Sequence, residues 1–178
     1  MKSQSFINEF LKSPVKVGSV IQSSKILART MAHQINGSLD VVEFGAGMGS
    51  VTEHILRRLP PNGRLICFEI NSKFCEHLMT IDDPRLTVIN DGAENCHKYV
   101  GRLECVVSGL PLALFSKTKR QEILDISSKS RRFIQFQYSL VLKDTIKEHF
   151  SDVRIKFVPL NFPPAFVFVC TSSGKQTS

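Results

Sequence analysis

From Asp40 to Cys170 the sequence alternates short apolar runs with amphipathic helical stretches: "DVVEF", "SVTEHILRRL", "GRLICFEI", "SKFCEHLM" and onward. That alternation constrains the fold more than any other feature, because βαβ units write it and they build a mostly parallel sheet covered by helices on both faces. The same pattern predicts strands over residues 86–90, 104–108, 133–138, 153–159 and 165–170, and helices over residues 115–127 and 142–150. The last two strands are joined by "LNFPP", which is too short for a parallel crossover and suits an antiparallel hairpin. The expected architecture is therefore α/β: a mostly parallel seven-stranded sheet that closes in a C-terminal antiparallel hairpin. Upstream, Ser23 or Ser24 is placed to cap a helix running through "KILARTMAHQI".

A chain of 178 residues fits one domain with a core of its own. The boundaries read as N-terminal helices over residues 1–36, a core over 37–172 and a disordered tail over 173–178. Five cysteines, at 67, 75, 96, 105 and 170, form no CxxC pair and leave one unmatched in any disulfide scheme, so they read as reduced thiols of a cytosolic protein. Their spacings are not those of a structural zinc site, and no metal is expected. The N-terminus "MKSQSFINEFLKSPVKVG" lacks a secretory pattern, and no run reaches the roughly 18 apolar residues of a membrane span.

The net charge of +7 favours a polyanionic partner, either nucleic acid or an anionic lipid surface. Phe6, Ile7, Phe10 and Leu11 recur at helical spacing between Lys2 and Lys12, which suits an interfacial helix over residues 3–12. A second basic run, with Lys117, Lys119, Arg120, Lys129, Arg131 and Arg132 against Glu122 and Asp125, is either a solvated face or an attractor of phosphates.

The chemistry centres on "VVEFGAGMGSVTEHIL" at positions 41 to 56. A strand, then Gly45, Gly47 and Gly49, then a helix delivers bare backbone N–H groups and a helix N-terminus to a closely approaching ligand. Glu43 stands two residues before the first glycine, where its carboxylate would repel a pyrophosphate and suits a cationic ligand such as S-adenosylmethionine. Glu69 ends the second strand twenty residues after Gly49, the spacing of a ribose-binding acid at roughly 20 residues, and Ile70 beside it can pack on adenine. Asp91 ends the third strand on the same rim and can accept from the adenine amino group. Each residue also has an ordinary structural use, glycines in turns and Glu69 or Asp91 as helix caps, and NAD is the other cofactor such a loop serves.

Taken together these motifs resemble the class I S-adenosylmethionine-dependent methyltransferases, over about the whole chain. The resemblance implies a Rossmann-like fold and a cofactor set of Ser23, Glu43, Gly45, Gly47, Gly49, Glu69, Ile70, Asp91 and Gly92, with S-adenosylhomocysteine as product. It also implies that "SGLPL" after the fourth strand faces the methyl donor. Adenine N-methyltransferases place an aromatic residue after the Pro of this motif, and here Leu112 follows Pro111.

Three stretches, "FLKSPVKVGSVIQSSKILARTMA", "VSGLPL" and "FQYSLVL" with "LNFPPAFVF", resemble the bacterial phospholipid N-methyltransferases that act on phosphatidylethanolamine. That resemblance implies Ser108, through its carbonyl or hydroxyl, and Tyr138 at the methyl acceptor. It further implies a cytoplasmic protein peripherally associated with an anionic membrane. The family usually carries Pro-Ser-Ser where this chain has Gln22-Ser23-Ser24, and an arginine where it has Phe166. The alternatives are an RNA adenine N6-methyltransferase and a non-catalytic cofactor-binding scaffold.

Overall fold

A computed structural model describes residues 17–161 and 163–172, with side chains from residue 25 onward. The chain opens with helix α1 (Val17–Ala32) and a 3-10 turn (His33–Ile35), followed by β1 (Asp40–Phe44), α2 (Ser50–Leu56), β2 (Arg64–Phe68), α3 (Ser72–Leu78) and β3 (Leu86–Ile89). After a 3-10 turn (Ala93–Lys98) come β4 (Cys105–Ser108), a short 3-10 turn (Leu112–Leu114), α4 (Lys117–Ser128), β5 (Arg132–Gln137), α5 (Lys143–Lys147), β6 (Asp152–Val158) and β7 (Ala165–Thr171).

The seven strands form one sheet in the order β3-β2-β1-β4-β5-β7-β6. β1 to β5 pair in parallel, whereas β7 lies antiparallel between β5 and β6, as the short "LNFPP" connection requires. The chain builds outward from β1 through β2 to β3, then returns to place β4 on the other side of β1. This reversal opens a crevice at the C-terminal ends of β1 and β4, where ligands of open α/β sheets bind.

Successive strand residues face opposite sides of a sheet, so each strand feeds two cores. Val41, Leu65 and Cys105 pack with Leu27 and Met31 of α1 and with Ile55 and Leu56 of α2. Val42, Val106, Phe133 and Phe168 pack on the other face with Ile123 and Leu124 of α4 and Ile146 of α5. Each large apolar side chain buried this way contributes about 1.5–3 kcal/mol against exposure.

The first helix departs from expectation. It is already formed at Val17, so Ser23 and Ser24 lie inside it rather than at its cap. Serine favours caps by hydrogen-bonding backbone, but the apolar pattern of Val17, Val20 and Ile21 carries the helix through it. The expected interfacial helix over residues 3–12 and the tail over 173–178 lie outside the described residues.

Candidate functional site

The glycine loop leaves β1 with its first peptide still tied to the sheet, since the Gly45 N–H donates to the Phe68 carbonyl at 2.8 Å. Gly45, Gly47 and Gly49 have φ of +71°, +54° and +81°, backbone that side-chain-bearing residues rarely adopt. A methyl group at Gly47 would meet nothing within 4 Å, so the middle of the loop presents its backbone to open space. Gly49 ends the loop as the N-cap of α2.

Glu69 closes the loop from the β2 side. Its Oε2 accepts from the Gly47 N–H at 2.9 Å and its Oε1 from the Asn71 N–H at 2.8 Å, although the residue is only 8% exposed. The cap of α3 is Asn71, whose Oδ1 accepts from the Lys73 N–H, which leaves Glu69 free of that duty. Each carboxylate oxygen retains acceptor capacity for a paired diol. Ile70 beside it is 78% exposed on the rim, an apolar surface suited to a flat heterocycle.

Asp91, just beyond β3, accepts from the Gly92 N–H at 2.7 Å and from Asn95 Nδ2 at 2.8 Å through Oδ1, and from the Tyr99 hydroxyl at 3.0 Å through Oδ2. These donors, Asn95 foremost, hold its carboxyl below the usual range. Tyr99 packs edge-on against Phe68 with ring centroids 5.7 Å apart and remains half exposed, setting an aromatic ring beside Asp91. Nothing in the sequence pattern singled out Tyr99.

Glu43 is not the open anion that its position suggested. It is 2% exposed, points to the α2 face of the sheet, and accepts from Thr52 Oγ1 at 2.7 Å and Cys67 Sγ at 3.2 Å through one oxygen. Burial pushes its carboxyl up from 4.5 to about 7, against the opposing hydrogen bond from Thr52. The carboxyl binds its proton more tightly folded than unfolded, so its stabilising contribution is complete below about pH 4.5 and lost as pH rises through about 7. We expect the stability gained by Glu43→Gln in urea titrations to grow across that window, towards roughly 3 kcal/mol. A difference independent of pH would show that burial leaves the Glu43 carboxyl at its unfolded-state pKa.

The "SGLP" turn after β4 is fastened at several points. The Gly109 N–H donates to the Phe44 carbonyl at 2.8 Å, and a methyl group on Gly109 would lie 2.8 Å from the Gly45 carbonyl oxygen. Ser108 is fully buried and its hydroxyl accepts from the Leu110 N–H at 3.3 Å, so the hydroxyl builds the turn rather than facing outward. Gln135 of β5 donates to the Leu110 carbonyl at 3.0 Å, and Arg120 of α4 donates to the carbonyls of Leu112 and Phe115. Gln135 reads as an ordinary strand residue in the sequence, and its role comes only from the register that pairs it with Ser108.

Tyr138 follows β5 on the same rim, packed edge-on against Phe136 at 5.4 Å, and burial pushes its phenol up. The ring of Phe166 lies 5.1 Å from that of Phe157. The second basic run does not form one patch at the site. Lys119 pairs with Glu94 and Glu122, Arg120 is spent on the turn, and Lys129, Arg131 and Arg132 sit at the opposite rim, where β5 begins. Ser23 lies on α1, its side chain outside the described ones. Among the described residues no group of His, Cys, Asp and Glu could hold a metal ion.

Positive-φ glycines with open backbone, an acid gripping that loop, a second acid beside an aromatic ring and an exposed Ile70 fit the adenosyl and amino-acid portions of S-adenosylmethionine. No family model matches the chain. It is 27% identical over 179 residues, spanning 93% of both chains, to an ornithine lipid N-methyltransferase of Singulisphaera acidiphila. Among solved structures, it is similar to precorrin-6y C5,15-methyltransferase from Geobacter metallireducens, with TM-score 0.66, 15% identity and 82% of this chain covering 88% of that one. It is also similar to magnesium protoporphyrin IX methyltransferase from Synechocystis with bound S-adenosylmethionine, with TM-score 0.65, 12% identity and coverage of 87% and 80%. A Pyrococcus horikoshii protein described as a putative RNA methyltransferase matches with TM-score 0.60, 14% identity and coverage of 85% and 83%. Sheet order and these likenesses converge on one fold: the chain has the Rossmann-like architecture of the class I S-adenosylmethionine-dependent methyltransferases, and its sequence resembles that of an ornithine lipid N-methyltransferase.

Proposed function

We propose that this protein methylates the head-group amine of a membrane lipid. The observation that carries the reading is the likeness to an ornithine lipid N-methyltransferase along 93% of the chain. The acceptor turn supports it: Leu112, in the place where base-methylating enzymes stack an aromatic ring, is fully buried in the α4-side core and offers a nucleobase nothing.

Bound S-adenosylmethionine would supply an electrophilic methyl group. The protein's part is to position, since an SN2 transfer from a sulfonium needs an aligned, deprotonated amine more than a covalent partner. With its hydroxyl engaged on Leu110, Ser108 can orient the amine through its backbone carbonyl, and Gln135 and Arg120 hold that turn in place. Tyr138, its phenol pushed above the ordinary value and therefore protonated at neutral pH, would serve as a hydrogen-bonding wall rather than a base. Glu69 would accept from the ribose hydroxyls, with Ile70, Asp91 and Tyr99 around adenine. Phosphatidylethanolamine and an ornithine lipid share the required group, a terminal primary amine.

Incubation with labelled S-adenosylmethionine and, in parallel, vesicles of phosphatidylethanolamine, vesicles of ornithine lipid and total unmodified RNA tests this reading. Label is expected in lipid, and the lipid that carries it identifies the head group. Label in RNA alone would overturn the proposal in favour of adenine methylation.

A further inference from the structure

The corner of the sheet beyond Tyr138 carries apolar side chains that the fold does not cover. β5 and β6 both flank β7 in antiparallel fashion, so the two run in the same direction and end on the same rim, two strand spacings or about 10 Å apart. Beyond β5 come Leu140, 43% exposed, and Val141, 72% exposed; at the end of β6 stand Phe157, 57% exposed, and Leu160, 72% exposed. Singly exposed apolar residues are common, but four at one corner, next to the residue placed at the acceptor, form a patch.

The apolar tips are flanked by lysines, and the nearest acid beyond Lys143 is Asp144 in the first turn of α5. Lys143 stands two residues after Val141 and Lys156 directly precedes Phe157, and among the described residues neither lies within ion-pair distance of a carboxylate. The sequence contains no acid from Tyr138 to Lys143 and none from Val153 to the C-terminus. Apolar side chains at loop tips with lysines on their flanks and no acid between them match an anionic lipid surface: the apolar tips enter the acyl boundary and the ammonium groups stay among phosphates. No helix among the described residues is long and apolar enough to cross a membrane, so contact through these residues has to be made by a surface.

We propose that Leu140, Val141, Phe157 and Leu160 form the face by which the protein docks on an anionic lipid surface, with its acceptor mouth against the head groups. The inference rests on the lipid-acceptor reading for its biological purpose, and on exposure, strand direction and charge for its location. It sets the orientation: the rim bearing the strand C-termini faces the bilayer, and the rim with Lys129 and Arg131 faces away.

The test uses the full chain and vesicles of phosphatidylethanolamine with phosphatidylglycerol. Val141→Asp/Leu160→Asp should weaken vesicle co-sedimentation by about tenfold or more, since it removes two apolar side chains and adds repulsion. S-adenosylmethionine affinity, read by calorimetry, and methyl transfer to detergent-dispersed lipid should stay within about twofold. Val141→Ser/Leu160→Ser, free of added charge, should show a smaller loss in the same direction and guards against misfolding of the acidic variant. Lys129→Glu/Arg131→Glu, on the opposite rim, should cost less than the acidic loop variant. Unchanged sedimentation of both loop variants, or an equal loss from the opposite-rim variant, overturns the docking face. Wild-type protein that methylates dispersed lipid yet never sediments also overturns it while the lipid reading stands. Sedimentation that depends on Val141 and Leu160 without any lipid methylation upholds the face and removes the lipid acceptor.

Discussion

Glu69→Ala is expected to weaken S-adenosylmethionine binding by about 1.5–3 kcal/mol, a tenfold to more than hundredfold rise in Kd. The loss has two sources. The ribose contacts proposed for the carboxylate would disappear, and the N–H groups of Gly47 and Asn71 lose the acceptor that now ties the glycine loop to β2. S-adenosylhomocysteine, which keeps the ribose but lacks the sulfonium charge, should suffer about the same penalty. Glu69→Gln, which retains one acceptor oxygen, should fall between alanine and wild type. Calorimetry with both ligands checks the assignment, and an unchanged Kd for the alanine variant would remove Glu69 from the cofactor site.

Gly109→Ala should lower kcat by about a hundredfold while leaving a folded protein, because a displacement of about 1 Å at a reacting centre has that cost. The added methyl group would lie 2.8 Å from the Gly45 carbonyl oxygen, a backbone atom that cannot swing aside. Either the acceptor turn lifts off the glycine loop or the loop moves with it, so cofactor affinity should fall as well. Strain of this kind costs about 1–3 kcal/mol of stability, which thermal unfolding will report. Single-turnover kinetics separate transfer from binding, and a transfer rate within a few fold of wild type would mean that the turn and the loop move independently.

The sheet was legible because strand patterning survives in a single sequence. β1 agrees with "DVVEF" residue for residue, the expected β6 is displaced by one residue at each end, and β7 runs one residue past its expected end. Within the site, backbone features such as the three glycines and the rim position of Glu69 were readable from spacing. What spacing could not supply was the direction of side chains. Glu43 and Ser108 stand where the motif places them, yet the strand pleat turns Glu43 into the α2-side core onto Thr52, and the turn consumes the Ser108 hydroxyl. Gln135 and Tyr99 were invisible for a related reason: each acts through a neighbour, Leu110 or Asp91, that only the folded register brings near. The basic run was left open between a solvated face and an attractor of phosphates because a charge count cannot show that α4 and the start of β5 distribute its members to opposite ends of the sheet.

All five thiols lie in the core, none of them paired, and burial is the leading cause that pushes each above its ordinary value. A thiol that is both shielded and protonated reacts slowly with electrophiles, so in the native state these side chains are chemically silent. They are also spread across the molecule: Cys67 on β2, Cys75 on α3, Cys96 after β3, Cys105 on β4 and Cys170 on β7. Alkylation of each one therefore clocks the opening of its own part of the fold. Cys75, whose thiol donates to the Glu69 carbonyl, would time the opening of the cofactor rim separately from that of the hairpin holding Cys170.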